Sequence, residues 1–525
     1  MRIMQHLSSS LSRSEIKKII PFGPRLGAPA CVLTIAILMV LVTGAVFAGS
    51  ATWNLNPTSN DWNTAANWTP PTVPNGPNDT ATFDVSNVTD VLVSANTELA
   101  GIVFNAGANA FTITVSPSGG STSLTMDTVG ITNNSVMIQS FVAAGAVDGT
   151  AFNGQILFTL AATAGSLTAF TTKGGAVSSG LGGAVIFEYD STAGNGTFTN
   201  DGAAVSGAEG GVTAFYHNSH GDNATLIANG GSSGGAGGSI QFSGGSSGIG
   251  VNDGTAHVEV FGNGNLDISR HDAPGVSLAS IEGSGNIFLG GNMLTVGQAD
   301  SGITFSGVIQ DGGLQGGTGG SLRIRDTAVV LTNANTYTGG TVIAGDGKLL
   351  VNNRLGSGTG SGPVGFQPPH RCTLGGTGTI AGAVAIPGNT FIYGLYFLSP
   401  GSRRPDGGEV GPGTLTIQST LTFDGFPGNG NVIYQFELNS RTGRADKVVA
   451  NGVTISGAQI SFSGLGGEPL TLGTMFTVID NRAATPIAGT FENLPDGSIF
   501  SANRNNFQAS YEGGDGNDLT LTVVP

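Results

Sequence analysis

Apolar and polar positions alternate along this chain in short bursts, and nearly every burst ends in glycine or asparagine. The stretch "LTNANTYTGGTVIAGDGKLLVNN", Leu331 to Asn353, shows the pattern. An apolar run (Thr341-Val342-Ile343) is followed by a turn (Ala344 to Gly347), then a second run (Lys348 to Val351) closed by asparagines. That alternation predicts strand, turn, strand, with Val342 and Leu349–Val351 feeding a core and Asn333, Asn352 and Asn353 at corners. A phosphate loop at Gly347–Lys348 is excluded twice. Val342 stands where the leading glycine is needed, and Leu349 where Ser or Thr should follow the lysine.

The bursts recur. "GGAVIF" (182–187), "GGVTAF" (210–215) and "GGSIQF" (237–242) start 28 and 27 residues apart. "NGTFTNDG" (195–202) matches "NATLIANG" (223–230) at an offset of 28, and "HVEVFGNG" (257–264) is a looser copy. Each unit holds two short strands and a glycine turn, too little to bury a face alone, so neighbours must stack. The expected fold is all-β: a right-handed parallel β-helix with β-rich terminal caps. Phe187, Phe215 and Phe242 share the repeat phase and should stack as a ladder. Taking about 25 residues per rung, residues 49–427 make roughly fifteen rungs, a rod of about 70 Å at ~4.8 Å per rung.

Composition agrees. Glycine is 88 of 525 residues, about 17% against an average near 7%, yet there is no collagen period. With 39% hydrophobic residues and 27 phenylalanines, the glycine punctuates a fold and does not mark disorder.

Residues 1–48 read as a secretory signal: Arg2, Arg13, Lys17, Lys18 and Arg25 precede the apolar stretch 30–48, which ends Val46-Phe47-Ala48. An uncleaved inner-membrane anchor is the alternative. Cys31 opens the apolar core instead of closing it, so no lipid-anchor pattern exists. Removing the signal takes five basic residues and one acidic, leaving 14 and 33, a net charge of −19. Between Leu26 and Ser269 the only basic residue is Lys173. Such a surface repels a phosphate backbone, so nucleic acid is not an expected partner. One cysteine survives, Cys372, so no intrachain disulfide can staple the fold.

Several motifs in the second half resemble the autotransporter-associated beta-strand repeat proteins of bacterial surfaces. They are "NTYTGGT" (335–341), "LLVNN" (349–353), "GSGTGSGPV" (356–364), "TLGGTGTIAG" (373–382) and "PGTLTI" (412–417), in the family's order. The opening "ATWNLNPTSNDWNTAANWTPP" and the closing "FENLPDGSIF" and "YEGGDGNDLTLTVVP" are similar to the ends of such passengers. The resemblance implies a β-helical passenger at or beyond the outer membrane, and no chemistry. "FQPPHRC" (366–372) and "YFLSPGSRRPDGGEVG" (396–411) depart from the pattern, so those two rungs should be distorted or looped out. The domains read as signal 1–48, N-terminal cap region 49–100, repetitive β-helix 101–330, associated-repeat rungs 331–427 and β-rich cap 428–525.

The candidate sites each meet a plainer reading. His217 and His220 have H-x-x-H spacing with Asp222 nearby, which invites a metal. Tyr189 and Gly244 occupy the first position in neighbouring repeats and Thr192 and Ser247 the second, so a solvent-facing turn is expected. "GGDGNDLTL" (513–521), with Asp518, fits most of a calcium nonapeptide. A single copy makes at most half a site, so a terminal turn is expected. His370 and Cys372 could share a strand face as a Cys–His pair, but no orienting carboxylate is nearby and a free thiol is expected. Trp53, Trp62 and Trp68 could form a sugar-stacking platform. The favoured reading is a cap over the open end of the helix. Arg323, Arg325 and Asp326 come nearest to a lyase cluster, and one strand accounts for them. No catalytic, cofactor or metal residue is assigned.

The expectation is therefore an exported, non-catalytic passenger-like protein, structural or adhesive at the surface, with surface glycans or matrix as candidate partners and no membrane contact once the signal is removed. A secreted carbohydrate-binding or carbohydrate-degrading β-helix is the alternative. The 95 residues from Asn431 to Pro525 are too few for a membrane barrel of eight ten-residue strands, so surface delivery should depend on separate machinery.

Overall fold

The structure, a computed structural model, describes residues 49–148, 152–244, 256–297, 302–368, 371–388, 394–401 and 411–525. The signal segment 1–48 and His370 lie outside the described residues. Among those described, short strands stack into four sheets, and apart from a 3-10 turn at Ala65–Asn67 there is no helix. The chain folds as a parallel β-helix.

The first sheet has twelve strands, running from Trp68–Thr69 and Ala51–Trp53 to Val308–Gln310. The second has sixteen, from Asp90–Val93 to Gln459–Leu465, and is parallel throughout apart from one short return, Arg444–Ala445. The third sheet starts only at Gly275–Leu278, and the fourth at Thr379–Ile380. Before residue 275 the third face is reduced to isolated bridges, Gly130↔Thr163↔Thr192↔His220 and Gly244↔His271.

Strand alternation puts every second side chain inside. Phe158, Phe187, Phe215 and Phe242 occupy one inward column of the first sheet. Their rings stack at 4.8, 4.9 and 4.7 Å with interplanar angles of 9°, 7° and 7°. A second ladder, Phe141, Phe170 and Phe198, lies opposite in the second sheet at 4.9 and 4.6 Å. The spacing equals the rise per rung, so each ring lies face to face with its neighbour.

The glycine pair that opens each repeat has a packing reason at both positions. A Cβ on Gly182 would run into the Gly210 carbonyl, and one on Gly210 into that of Gly237. A Cβ on Gly183, Gly211 or Gly238 would meet the carbonyl that ends a second-sheet strand, of Ala143, Thr172 or Asn200. The first glycine lets turns stack on one another. The second lets the chain turn tightly into the next strand.

Trp53, Trp62 and Trp68 are fully buried, in edge-to-face contacts at 5.0 and 4.8 Å above Phe83. Their indole N–H groups donate to the carbonyls of Val88, Pro74 and Trp62. At the other end, Met475–Asn481, Asp518–Val524, Asn505–Gly513 and Ile499–Ala502 pair antiparallel and close the stack.

Two readings change, and a third falls largely outside the described residues. Parallel rungs continue past residue 428, through Val432–Asn439, Lys447–Ala450 and Val453–Ser456, and the antiparallel closure begins near Met475. Of the two departing segments, residues 369–370 and 402–410 lie outside the described residues; the strands that flank them are in register, Cys372 with Tyr396 and Tyr396 with Val432. Val342 faces outward, while Thr341 and Ile343 are the buried neighbours. Thr341 takes its inward place because its hydroxyl bonds the buried Tyr337 hydroxyl at 2.6 Å.

Candidate functional site

Where Phe187, Phe215 and Phe242 point in, the alternate residues of the same strands point out. In register, Val212, Ser239, Asn265 and Asn286 form one outward column, and Ala214, Gln241, Asp267 and Phe288 the next. Gln241 donates to the Ser239 hydroxyl at 3.1 Å, and Ser239 to Asn265 at 2.9 Å, a chain of neutral hydrogen bonds crossing two rungs.

Two walls rise beside this floor. At the entry ends of the strands, the glycine-rich segments 173–183, 201–211 and 229–238 loop outward and stack. Ser179 N–H donates to Gly207 and Ala203 N–H to Ala236. At the exit end, loop 311–319 folds back over the sheet and is held by Asp267. Its carboxylate accepts from the Leu314 backbone at 2.8 Å and from both the N–H and hydroxyl of Ser269, whose oxygen in turn accepts from Gln315. Gly313, at φ 100°, passes so close that a Cβ would strike Asp267 and Ser269. Between the walls lies a groove of about 580 Å3.

None of the lining residues is basic; Glu209 and Asp267 are its acids. Asp267 is buried and committed to the loop, so Glu209 is the exposed charge. The groove offers amides, hydroxyls, half-buried apolar side chains (Val212, Phe288) and exposed Leu314. That set can hold a neutral, hydrogen-bonding ligand with apolar faces.

The residues singled out from sequence lie elsewhere. His217 is exposed and stacks on Tyr189 at 4.9 Å and 5°, both in left-handed backbone conformation at a turn. His220 is a bridge residue paired with Thr192, whose hydroxyl donates to Asp222. Among the described residues no three His, Cys, Asp or Glu are grouped to hold a metal. Asp518 starts the last antiparallel strand and accepts from the Asn481 backbone at 2.9 Å. Burial raises its pKa, partly offset by that bond.

Cys372 is buried, its thiol within 3.2 Å of the Gly345 carbonyl. Burial, with Asp346 and Asp326 nearby, pushes the thiol up to about 12, the opposite of an activated nucleophile. Arg325 pairs with its neighbour Asp326 at 3.1 Å on one strand end. The tryptophans, being buried, present no ring face to solvent.

The groove itself escaped the sequence reading. The available signal was the polar member of each alternating pair, in "SIQF", "NLD" and "NIF". No local pattern announces that loop 311–319 returns to Asp267, 44 or more residues earlier.

Among solved structures the chain is similar to the Haemophilus influenzae Hap adhesin, at 11% identity and a TM-score of 0.18. The similarity covers 86% of this chain and 65% of the adhesin chain. No family model matches the chain, and no curated protein does.

Proposed function

We propose that this is an exported, non-catalytic β-helix of the passenger type, with a surface-structural or adhesive role. The observation that carries the reading is the groove on the first sheet, built by repetition from neutral amides and hydroxyls, with its buried carboxylate tied into the scaffold. A surface of that kind suits contact without turnover.

The assignment to the autotransporter-associated beta-strand repeats belongs to the same proposal. Its motif asparagines do corner work. Asn335 accepts from Ile309 N–H at 2.7 Å and donates to the Gly358 carbonyl at 2.6 Å. Asn352 accepts from Thr377 N–H, and Asn353 from Thr379 N–H, one rung on. Side-chain amides that satisfy the backbone of the adjacent turn explain why asparagine recurs at these corners.

The test has two arms. Purified protein is screened against arrays of glycans and matrix proteins, and the same preparation is incubated with polysaccharides while reducing ends and unsaturated products are followed. Binding without product formation is expected. Saturable product release would overturn the non-catalytic reading. Fractionation after expression in a Gram-negative host tests export; retention of full-length protein in the cytoplasm would contradict it.

A further inference from the structure

We infer that the groove on the first sheet is a binding site for a neutral glycan chain lying across successive rungs. This rests on the adhesive reading and gives it a place and a ligand class.

Four observations support it. The volume, about 580 Å3, falls within the range of about 300–1,000 Å3 usual for ligand sites. The lining residues Val212, Ser239, Asn265 and Phe288 lie on four successive strands, three rung steps or roughly 14 Å at ~4.8 Å each, so an extended chain can lie along the floor. Gln241, Ser239 and Asn265 supply both donors and acceptors, while Val212 and Phe288 offer apolar surface to the C–H faces of sugar rings. Charge selects against anions: the lining holds Glu209 and Asp267 and no basic residue, on a chain of net charge −15.

A peptide is the less suitable occupant. Extended peptides are captured chiefly by free strand edges. The floor strands here are paired on both sides, so their backbone groups are used within the sheet. What remains outward is side-chain amide and hydroxyl, which suits a polyhydroxylated ligand.

The experiment is calorimetric titration of the purified full protein with neutral oligosaccharides, alongside sulfated and uronate-containing ones and an extended peptide set. The parent should bind neutral chains. Gln241→Ala and Asn265→Ala should each weaken binding about tenfold, the loss of one well-placed hydrogen bond. Thr199→Ala, on the outward face of the second sheet, should leave it unchanged. Thermal melts establish that the variants fold. Ser239→Trp provides a second reading, since the added indole should fill the groove and abolish binding in a protein whose melt shows it folded. Neutral glycan binding that ignores the groove variants would overturn the site but leave the adhesive reading standing. Binding confined to sulfated or acidic glycans, or to peptides, would overturn the ligand class. An absence of binding to every glycan, peptide and matrix probe would overturn both this inference and the adhesive reading.

Discussion

The two halves of this β-helix solve the same packing problem with different rungs. In the first half Phe187, Phe215 and Phe242 follow one another at 28 and 27 residues. Where the second begins, Leu266, Ile287 and Ile309 follow at only 21 and 22. The longer rungs carry stacked aromatic rings, a glycine-rich loop after each second-sheet strand and a third face thinned to single bridges. The shorter ones carry aliphatic side chains in this column, and beside them a continuous third sheet begins. A rung of about 21 residues suffices to close the core. The surplus in the longer rungs is carried outside it, and there it builds one wall of the groove. The candidate site lies where the two kinds of rung meet: the longer rungs supply its glycine-rich wall, and the shorter ones supply Asn265, Phe288 and the loop that Asp267 holds.

The contrast can be broken by substitution. The largest effect should come from Phe215→Asp, which loses two stacking partners and buries a charge. It should cost about 3–5 kcal/mol for the side chain and more for the carboxylate. A variant that melts like the parent would mean that the repeat phase is misassigned. A gentler pair separates the two cores. Phe215→Leu removes two ring contacts worth about 0.5–1.5 kcal/mol each beyond area, whereas Leu322→Met conserves volume and should cost under about 1.5 kcal/mol in all. Chemical denaturation of the two variants should rank them in that order.

Glycine substitution sharpens the point about loops. Gly210→Ala drives a methyl into the Gly237 carbonyl and should destabilise by about 1–3 kcal/mol. Gly365→Ala, in a strand of the second half with open space around it, should stay within about 0.5 kcal/mol of the parent. Equal melting temperatures for the two would contradict the stacked-loop description.

The smallest effect at neutral pH becomes visible in alkali. Burial raises Tyr337 and Tyr434 above the ordinary tyrosine range and pushes Tyr511 and Cys372 up to about 12. All four lie in the second half. Each stays neutral in the folded state after its unfolded counterpart ionises, so the native state binds more protons there. Stability is therefore unaffected below about pH 9 and falls as pH rises from about 9 towards 12. Trp53, Trp62 and Trp68 report on the first half. Tyrosinate absorbance should rise before tryptophan emission shifts, because a solenoid can lose rungs from one end. Simultaneous transitions would argue for a single cooperative unit.

Much of the fold was legible in the sequence because its physics is local. The period of 27–28 residues, the alternation within four-residue strands and the glycine pairs together specify stacked rungs and the Phe187, Phe215, Phe242 ladder. The change of rung near residue 275 was not legible. A lost loop and a gained strand leave no motif, only a shorter spacing among common aliphatic residues. Val342 was misplaced because Thr341, polar by composition, turns inward to bond Tyr337. The groove was hidden for a longer-range reason: its floor residues are unremarkable Ser, Asn and Gln, and its exit wall is a loop from two rungs away held by Asp267.

The groove exists only if one repeat is one turn of the helix, with Ala214 beside Gln241. Paired cysteines at these two outward positions test that register directly. Adjacent parallel strands place their Cα atoms about 4.8 Å apart, inside the range of about 4.4–6.8 Å that a disulfide spans. Mild oxidation of the folded Ala214→Cys, Gln241→Cys protein should form the bond readily. The control pair Ala214→Cys, Asp267→Cys, two rungs apart, should stay reduced. Efficient cross-linking of the control, or none in the test pair, would contradict the register on which the site is built.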